Sequence, residues 1–271
     1  MVLQKVYAVY FSPTGTTEKA VIATAKGTGL PGARIDLTPW KSRLNYARLF
    51  NDNEVVVVGL PVYGGRLPGK IDNFFTCLKG NGTPAIAMVV YGNRDYEDAL
   101  IELKVRLEER GFRVIAAAAF IGEHTFSKNI AGGRPDDEDL LLAREFGKRA
   151  LAGLDQSITG ILKVKGNNPY VKRTFDPTSL ERGRYTGWAQ VGTTADCSFC
   201  GLCEESCPWN AITIDDNVIT NYSKCMRCFR CIRVCPSKAK KVIDPNFPKW
   251  VEQFEQMLEG RHCMPEMFFL E

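Results

Sequence analysis

Through the first 150 positions, apolar residues follow two alternating rhythms. Short runs rich in Val, Ile and Ala occupy residues 5–11, 33–37, 55–60, 85–91 and 112–121. Between them, apolar positions recur at helical spacing over residues 17–25, 70–78, 96–110 and 135–151, with a weaker stretch at 43–50. A period near 3.6 marks a helix with one buried face, whereas a short apolar run without alternation marks a strand covered on both sides. Five such strands joined by helices predict an α/β fold, a doubly wound five-stranded parallel sheet in the order 2-1-3-4-5. Ligands of these sheets bind at the carboxyl ends of the strands, where the winding reverses between the first and third.

Three loops leave that edge. After the first strand come Ser12, Pro13, Thr14, Gly15, Thr16 and Thr17, then a helix. Hydroxyls, a glycine and a helix N-terminus suit a phosphate held by neutral donors, because the turn has no lysine. The same residues also suit an ordinary capped helix start. After the third strand come Pro61, Val62, Tyr63, Gly64 and Gly65, and after the fourth Tyr91, Gly92, Asn93, Arg94 and Asp95. An aromatic beside glycine lets a ring stack on a planar ligand while backbone approaches its edge. His124 follows the fifth strand at the same edge, either as a ligand contact or as a loop histidine. Residues 27–32 spell G-x-G-x-x-G, but they follow a helix and precede a strand, the reverse of a dinucleotide fingerprint.

The later chain has a different character. Eight of the ten cysteines fall in two runs, each reading C-x2-C-x2-C-x3-C-P. The first is Cys197, Cys200, Cys203, Cys207 and Pro208; the second is Cys225, Cys228, Cys231, Cys235 and Pro236. An offset of 28 relates every member and also Ala211 to Ala239, so the segment is an internal repeat. A structural zinc site uses two separated cysteine pairs, and cysteines three apart make poor disulfides. The spacing resembles that of bacterial-type ferredoxins, in which three cysteines of a run hold one cluster and the fourth reaches the other. The resemblance implies two [4Fe-4S] clusters: one on Cys197, Cys200, Cys203 and Cys235, the other on Cys225, Cys228, Cys231 and Cys207. Cys77 reads as a core residue and Cys263 as part of the tail. Short apolar pieces at 212–214 and 218–219 predict a hairpin between the halves, making this a small α+β unit.

Residues 1–150 resemble flavodoxins in their S-x-T-G-x-T turn and their P-V-Y-G-G and Y-G-N-R-D loops. The resemblance implies FMN. Its phosphate would rest on Ser12, Thr14, Gly15, Thr16 and Thr17. Its ring would lie by Pro61, Val62, Tyr63, Gly64, Gly65, Tyr91 and Gly92, with Asn93, Arg94 and Asp95 at the pyrimidine edge. The whole chain resembles the flavodoxin–ferredoxin fusion proteins of anaerobes. The expected organisation is a flavodoxin-like domain over 1–151, a connector over 152–190, a two-cluster domain over 191–243, and a helix and tail over 244–271. One departure stands out. Typical flavodoxins are strongly acidic, whereas residues 1–150 hold 20 Lys/Arg against 17 Asp/Glu.

A flavin beside two one-electron clusters implies an electron relay serving protein redox partners. The other reading is an FMN-dependent reductase of a quinone or nitro compound. Lys224, Arg227, Arg230, Arg233, Lys238, Lys240 and Lys241 surround the second run, which predicts the higher potential there. Alternatively, these cations serve an acidic partner. The net charge of +4 gives no reason to expect nucleic acid, and no apolar run suits a membrane. The first residues read as a strand rather than a signal peptide, so the expected compartment is cytoplasmic.

Overall fold

The apolar runs of the first half pair side by side. In chain order the elements are β1 (Lys5–Tyr10), α1 (Thr16–Gly27), β2 (Gly32–Asp36), a 3-10 turn (Lys41–Arg43), β3 (Arg48–Phe50), β4 (Glu54–Pro61), α2 (Asp72–Thr76), β5 (Leu78–Gly80), β6 (Thr83–Tyr91), α3 (Ala99–Glu109), β7 (Phe112–Ile121) and α4 (Asp137–Asp155). There follow β8 (Val191–Thr193), α5 (Leu202–Glu205), β9 (Ile212–Ile214), β10 (Val218–Thr220), α6 (Arg230–Val234), β11 (Lys240–Val242), α7 (Phe247–Met257) and β12 (Glu266–Phe269). This computed structural model describes residues 2–155, 160–171 and 188–270. Most of the expected connector lies outside them.

β2, β1, β4, β6 and β7 form one parallel sheet, which is the expected 2-1-3-4-5 order. Val55 to Val58 of β4 are fully buried because helices cover both faces. One side packs Phe74 and Phe75 of α2 and Leu100, Leu103 and Leu107 of α3. The other packs Ala20 and Val21 of α1 and Ala143, Phe146 and Ala150 of α4. α1 and α4 touch through glycines: a Cβ on Gly147 would land on the Thr24 carbonyl oxygen, and one on Gly27 on that of Arg144. Gly147→Ala is therefore expected to destabilise the fold by about 1–3 kcal/mol, as core overpacking does. Thermal unfolding measures this, and an unchanged Tm would contradict the close packing.

Two local expectations change. The weak helical stretch at 43–50 is a 3-10 turn followed by β3, which pairs in parallel with β5. Leu49 is exposed while Phe50 is buried, a strand alternation that the flanking residues blur. The sheet also gains a sixth strand: β12 runs antiparallel to β7, with Phe268 opposite Ala117.

In the later unit, β9 and β10 form the expected hairpin, and β8 pairs with β11. Trp250 and Val251 of α7 pack with Trp188, Phe229 and Phe247, whereas Met257 at the end of the same helix is 65% exposed. The described part of the connector lies against α3, where Asp98 accepts the N–H groups of Asn167 (2.8 Å) and Val171 (2.7 Å). The two units share a hydrophobic cluster, since Cys207, Trp209 and Cys228 pack with the α2–α3 side of the sheet. Side chains also join them. Lys70 donates to the Ser223 carbonyl, Arg230 to that of Pro13 (3.0 Å), and Arg233 pairs with Glu123 at 3.0 Å. Among the described residues, no helix is long and apolar enough to cross a membrane.

Candidate cofactor sites at the sheet edge and in the cysteine runs

A cleft opens at the carboxyl ends of the parallel strands. Pro13, Thr14 and Thr16 line it from the turn after β1, Pro61, Val62, Tyr63 and Gly64 from the loop after β4, and Tyr91 and Gly92 from the end of β6. The loop after β7 adds Gly122, Glu123, His124, Thr125 and Phe126. The wall opposite comes from the second cysteine run, through Met226 and Arg227. Those two contacts were not predicted, because no local pattern reports packing between distant segments.

The turn after β1 is built as a cradle. Gly15 sits at φ 87°, in the left-handed region open to glycine, and starts α1 without a side-chain cap. Ser12 Oγ accepts the Glu18 N–H at 3.0 Å, and the Ser12 N–H donates to Thr38 Oγ1 at 2.8 Å. Ser12 is thus spent on shaping the turn. Thr14 and Thr16 hydroxyls lie 3.4 Å apart at the cleft. Thr17 Oγ1 is buried without a hydrogen-bond partner. The turn itself offers neutral donors, as expected, but Arg230 of the second cysteine run reaches its Pro13 carbonyl and brings a cation beside it.

Four expected ring contacts turn elsewhere. Gly65 is closed by Glu97, which fills the space a Cβ would take. The Asn93 amide donates to the Arg261 carbonyl (2.7 Å), and its Oδ1 accepts the Cys263 N–H (3.2 Å). Arg94 pairs with Glu97 at 2.7 Å, and Asp95 accepts the Glu97 N–H at 2.9 Å. The cleft lining contains none of these four. The reason is competition: the C-terminal segment claims Asn93, and Glu97 claims the other three.

His124 does face the cleft. Its Nδ1 accepts the Phe126 N–H at 3.2 Å, which leaves Nε2 as the donor of the neutral ring. Phe126 and Phe254 flank it at 5.3 and 5.0 Å. Burial, helped by Arg94, pulls its pKa down to about 4 from 6.5. A folded pKa below the unfolded one means the unfolded chain binds the extra proton. The stabilisation is therefore full above pH 6.5 and is lost as pH falls toward about 4. It amounts to at most on the order of 3 kcal/mol, since part of the ring faces the open cleft. His124→Gln is expected to flatten that portion of the stability–pH curve, which denaturant unfolding at several pH values would read.

The cysteines fall into two groups in space. Cys197, Cys200, Cys203 and Cys235 ring a small pocket with Gly201, Ile214, Ala239 and Lys240. Cys207 lies instead with Cys225, Cys228 and Cys231, whose thiols feel one another's charge. Burial and those neighbours push the Cys231 thiol up to about 12 and Cys228 well above its ordinary value. Such thiols stay protonated unless a strongly cationic core shares their charge. Among the described residues, no three Cys, His, Asp or Glu side chains converge as they would on a single ion. Four cysteines in each group are the donor set that a [4Fe-4S] cluster takes. The repeat extends to the backbone: Phe199 and Arg227, Gly201 and Phe229, and Asn210 and Lys238 all take positive φ. N–H groups of Phe199 and Ala211 point at Cys197 and Cys207 sulfurs, at 3.4 and 3.3 Å. Cys77 is buried against Asn73, and Cys263 lies by Asn93, each away from both groups.

Tyr63 joins the two sites. It lines the cleft, and burial together with nearby Cys228 and Cys225 holds its phenol well above the usual value.

Residues 196–239 match the family model of the 4Fe-4S dicluster domain. This stretch is a 4Fe-4S dicluster domain. A curated ferredoxin of Pyrobaculum islandicum is 40% identical to the chain over 45 residues, which are 16% of this chain and 42% of that ferredoxin. The match thus spans less than half of that relative. Among solved structures, a flavodoxin from the domain Archaea shares 16% identity over 56% of this chain and 99% of its own, with a TM-score of 0.39. The oxidised flavodoxin 2 of Bacillus cereus shares 16% over 55% of this chain and 97% of its own, at 0.37. The strand order already described makes the N-terminal unit flavodoxin-like. The chain therefore joins a flavodoxin-like α/β unit to a dicluster domain.

Proposed function

We propose that the chain relays electrons between two [4Fe-4S] clusters and one FMN, and through them between protein redox partners. One observation carries the reading: the dicluster domain forms a wall of the α/β unit's cleft through Met226 and Arg227, and Tyr63 lies at the cleft near Cys225 and Cys228. In this reading Thr14, Thr16 and the amides starting α1 hold the FMN phosphate, and Arg230 supplies its positive neighbour. Pro61, Val62, Tyr63, Gly64, Tyr91 and Gly92 flank the ring. Bound there, FMN supplies a centre that takes either one or two electrons.

Cys225, Cys228, Cys231 and Cys207 would hold the cluster beside the cleft. Cys197, Cys200, Cys203 and Cys235 would hold the outer one, where Cys200 is exposed and Phe199 and Leu202 are 52% and 42% exposed. That order suits entry or exit at the outer cluster and exchange with flavin at the inner one. The covered cleft favours relay over reduction of a quinone or nitro compound, because the dicluster domain already lines the ring's approach. The test is anaerobic purification followed by rapid mixing with a one-electron reductant. The expected result is about eight irons and one FMN per chain, with flavin reduced at a rate independent of protein concentration. A colourless protein would end the proposal, as would flavin reduction that speeds up with protein concentration.

A further inference from the structure

Arg43 is 4% exposed, yet every group bonded to its guanidinium is neutral. It donates to the carbonyl oxygens of Leu37, Thr38 (2.7 Å) and Pro208 and to Asn73 Oδ1 (3.2 Å). Phe11, Trp40 and Trp209 rings face it at 5.2, 5.6 and 5.6 Å. Among the described ion pairs it has none; Cys77, Asp36 and Cys207, in that order, act on it by charge without an ion-pair contact. Burial lowers its pKa to about 10, so it stays charged at neutral pH. A buried cation without an anion is strongly disfavoured.

The missing anion has a place. Pro208 follows Cys207, and the Cys207 sulfur is among the groups whose charge Arg43 feels. A [4Fe-4S] core on four thiolates is a dianion when oxidised and a trianion when reduced. We propose that Arg43 is the counter-ion of the cluster held by Cys225, Cys228, Cys231 and Cys207, and that through it the α/β unit raises that cluster's reduction potential. This rests on the ligand sets proposed above. The cation favours the more negative, reduced state, and burial keeps it from being screened by salt.

Arg227, 5% exposed and acting on Cys225, favours the same cluster, but from the second run itself rather than from the α/β unit. Lys240 is also buried, with its Nζ 3.3 Å from Thr220 Oγ1, but it lies near Cys203 as well as Cys225 and Cys231, so it serves both. Arg233 is paired with Glu123, and Arg230 is turned toward Pro13. Among the ligand cysteines, Cys207 is the one whose charge acts on Arg43, which donates to the carbonyl of the next residue, Pro208.

The experiment is an anaerobic redox titration of the full chain followed by electron paramagnetic resonance, comparing wild type, Arg43→Gln and Arg43→Lys. In wild type, two one-electron steps are expected. Arg43→Gln should shift the higher step at least tenfold toward the oxidised cluster, about 59 mV for one electron, and leave the lower step in place. Arg43→Lys should keep both near their wild-type positions. Equal shifts of both steps, no shift, or a lysine variant that behaves like glutamine would overturn the inference. Should the glutamine variant not assemble, wild type titrated at low and high salt decides. The gap between the steps should persist, and its collapse would assign it to surface charge instead. A wild-type protein with only one cluster would instead sink the relay reading on which the inference stands.

Discussion

Cys207→Ala is expected to halve the iron content, from about eight to about four per chain, and the cluster lost is the one that the second run encloses. The ligand that disappears belongs to the first run in sequence but lies with Cys225, Cys228 and Cys231 in space. Double substitution makes the claim sharp. Cys207→Ala with Cys228→Ala removes two ligands of one cluster and should leave about four irons. Cys207→Ala with Cys200→Ala touches both clusters and should leave almost none. If each run served its own cluster the two outcomes would exchange, so iron analysis alone separates the arrangements. Because the inner cluster adjoins the cleft, Cys207→Ala should also abolish rapid flavin reduction while the outer cluster still accepts an electron.

Gly92→Val should weaken FMN binding between about five- and 150-fold, with the iron content unchanged. A side chain at 92 would collide with the His124 ring and approach its backbone. Whichever gives way, the space for a planar ring shrinks, because both residues line the cleft. Overpacking by one branched side chain costs roughly 1–3 kcal/mol, and each 1.4 kcal/mol is tenfold in affinity. Titration of the flavin-free protein with FMN, read by fluorescence quenching, measures this. Unaltered affinity would mean that the flavin does not sit between the loops after β4, β6 and β7.

Much of this was written locally. The parallel strands were legible because β4 and β6 are buried on both faces and therefore run apolar without alternation. The two cysteine runs were legible because their spacing repeats, and the matching positive φ values show that the repeat reaches the backbone, whereas the exchange of the fourth cysteines came only with the resemblance to two-cluster ferredoxins. What the sequence concealed was the outcome of competition between distant segments. Asn93 sits in a loop well placed for a ligand, yet Arg261 and Cys263 engage its side chain. Arg43 lay in a stretch with weak helical spacing, and only the arrival of Pro208 gives its burial a reason. The cation beside the turn after β1 is absent from the turn's own sequence, because Arg230 brings it from more than 200 residues away.

β12 has a mechanical corollary. Domains joined by a single linker ordinarily move relative to one another. Here the chain leaves the α/β sheet, builds the dicluster domain, and comes back to add a strand beside β7, where Phe269 packs on Phe146 at 5.5 Å. The iron–sulfur unit is thereby clasped at both ends, so in the proposed relay an electron passing to the flavin would not wait on a swinging arm, and neither half cut out alone would keep its edge sealed.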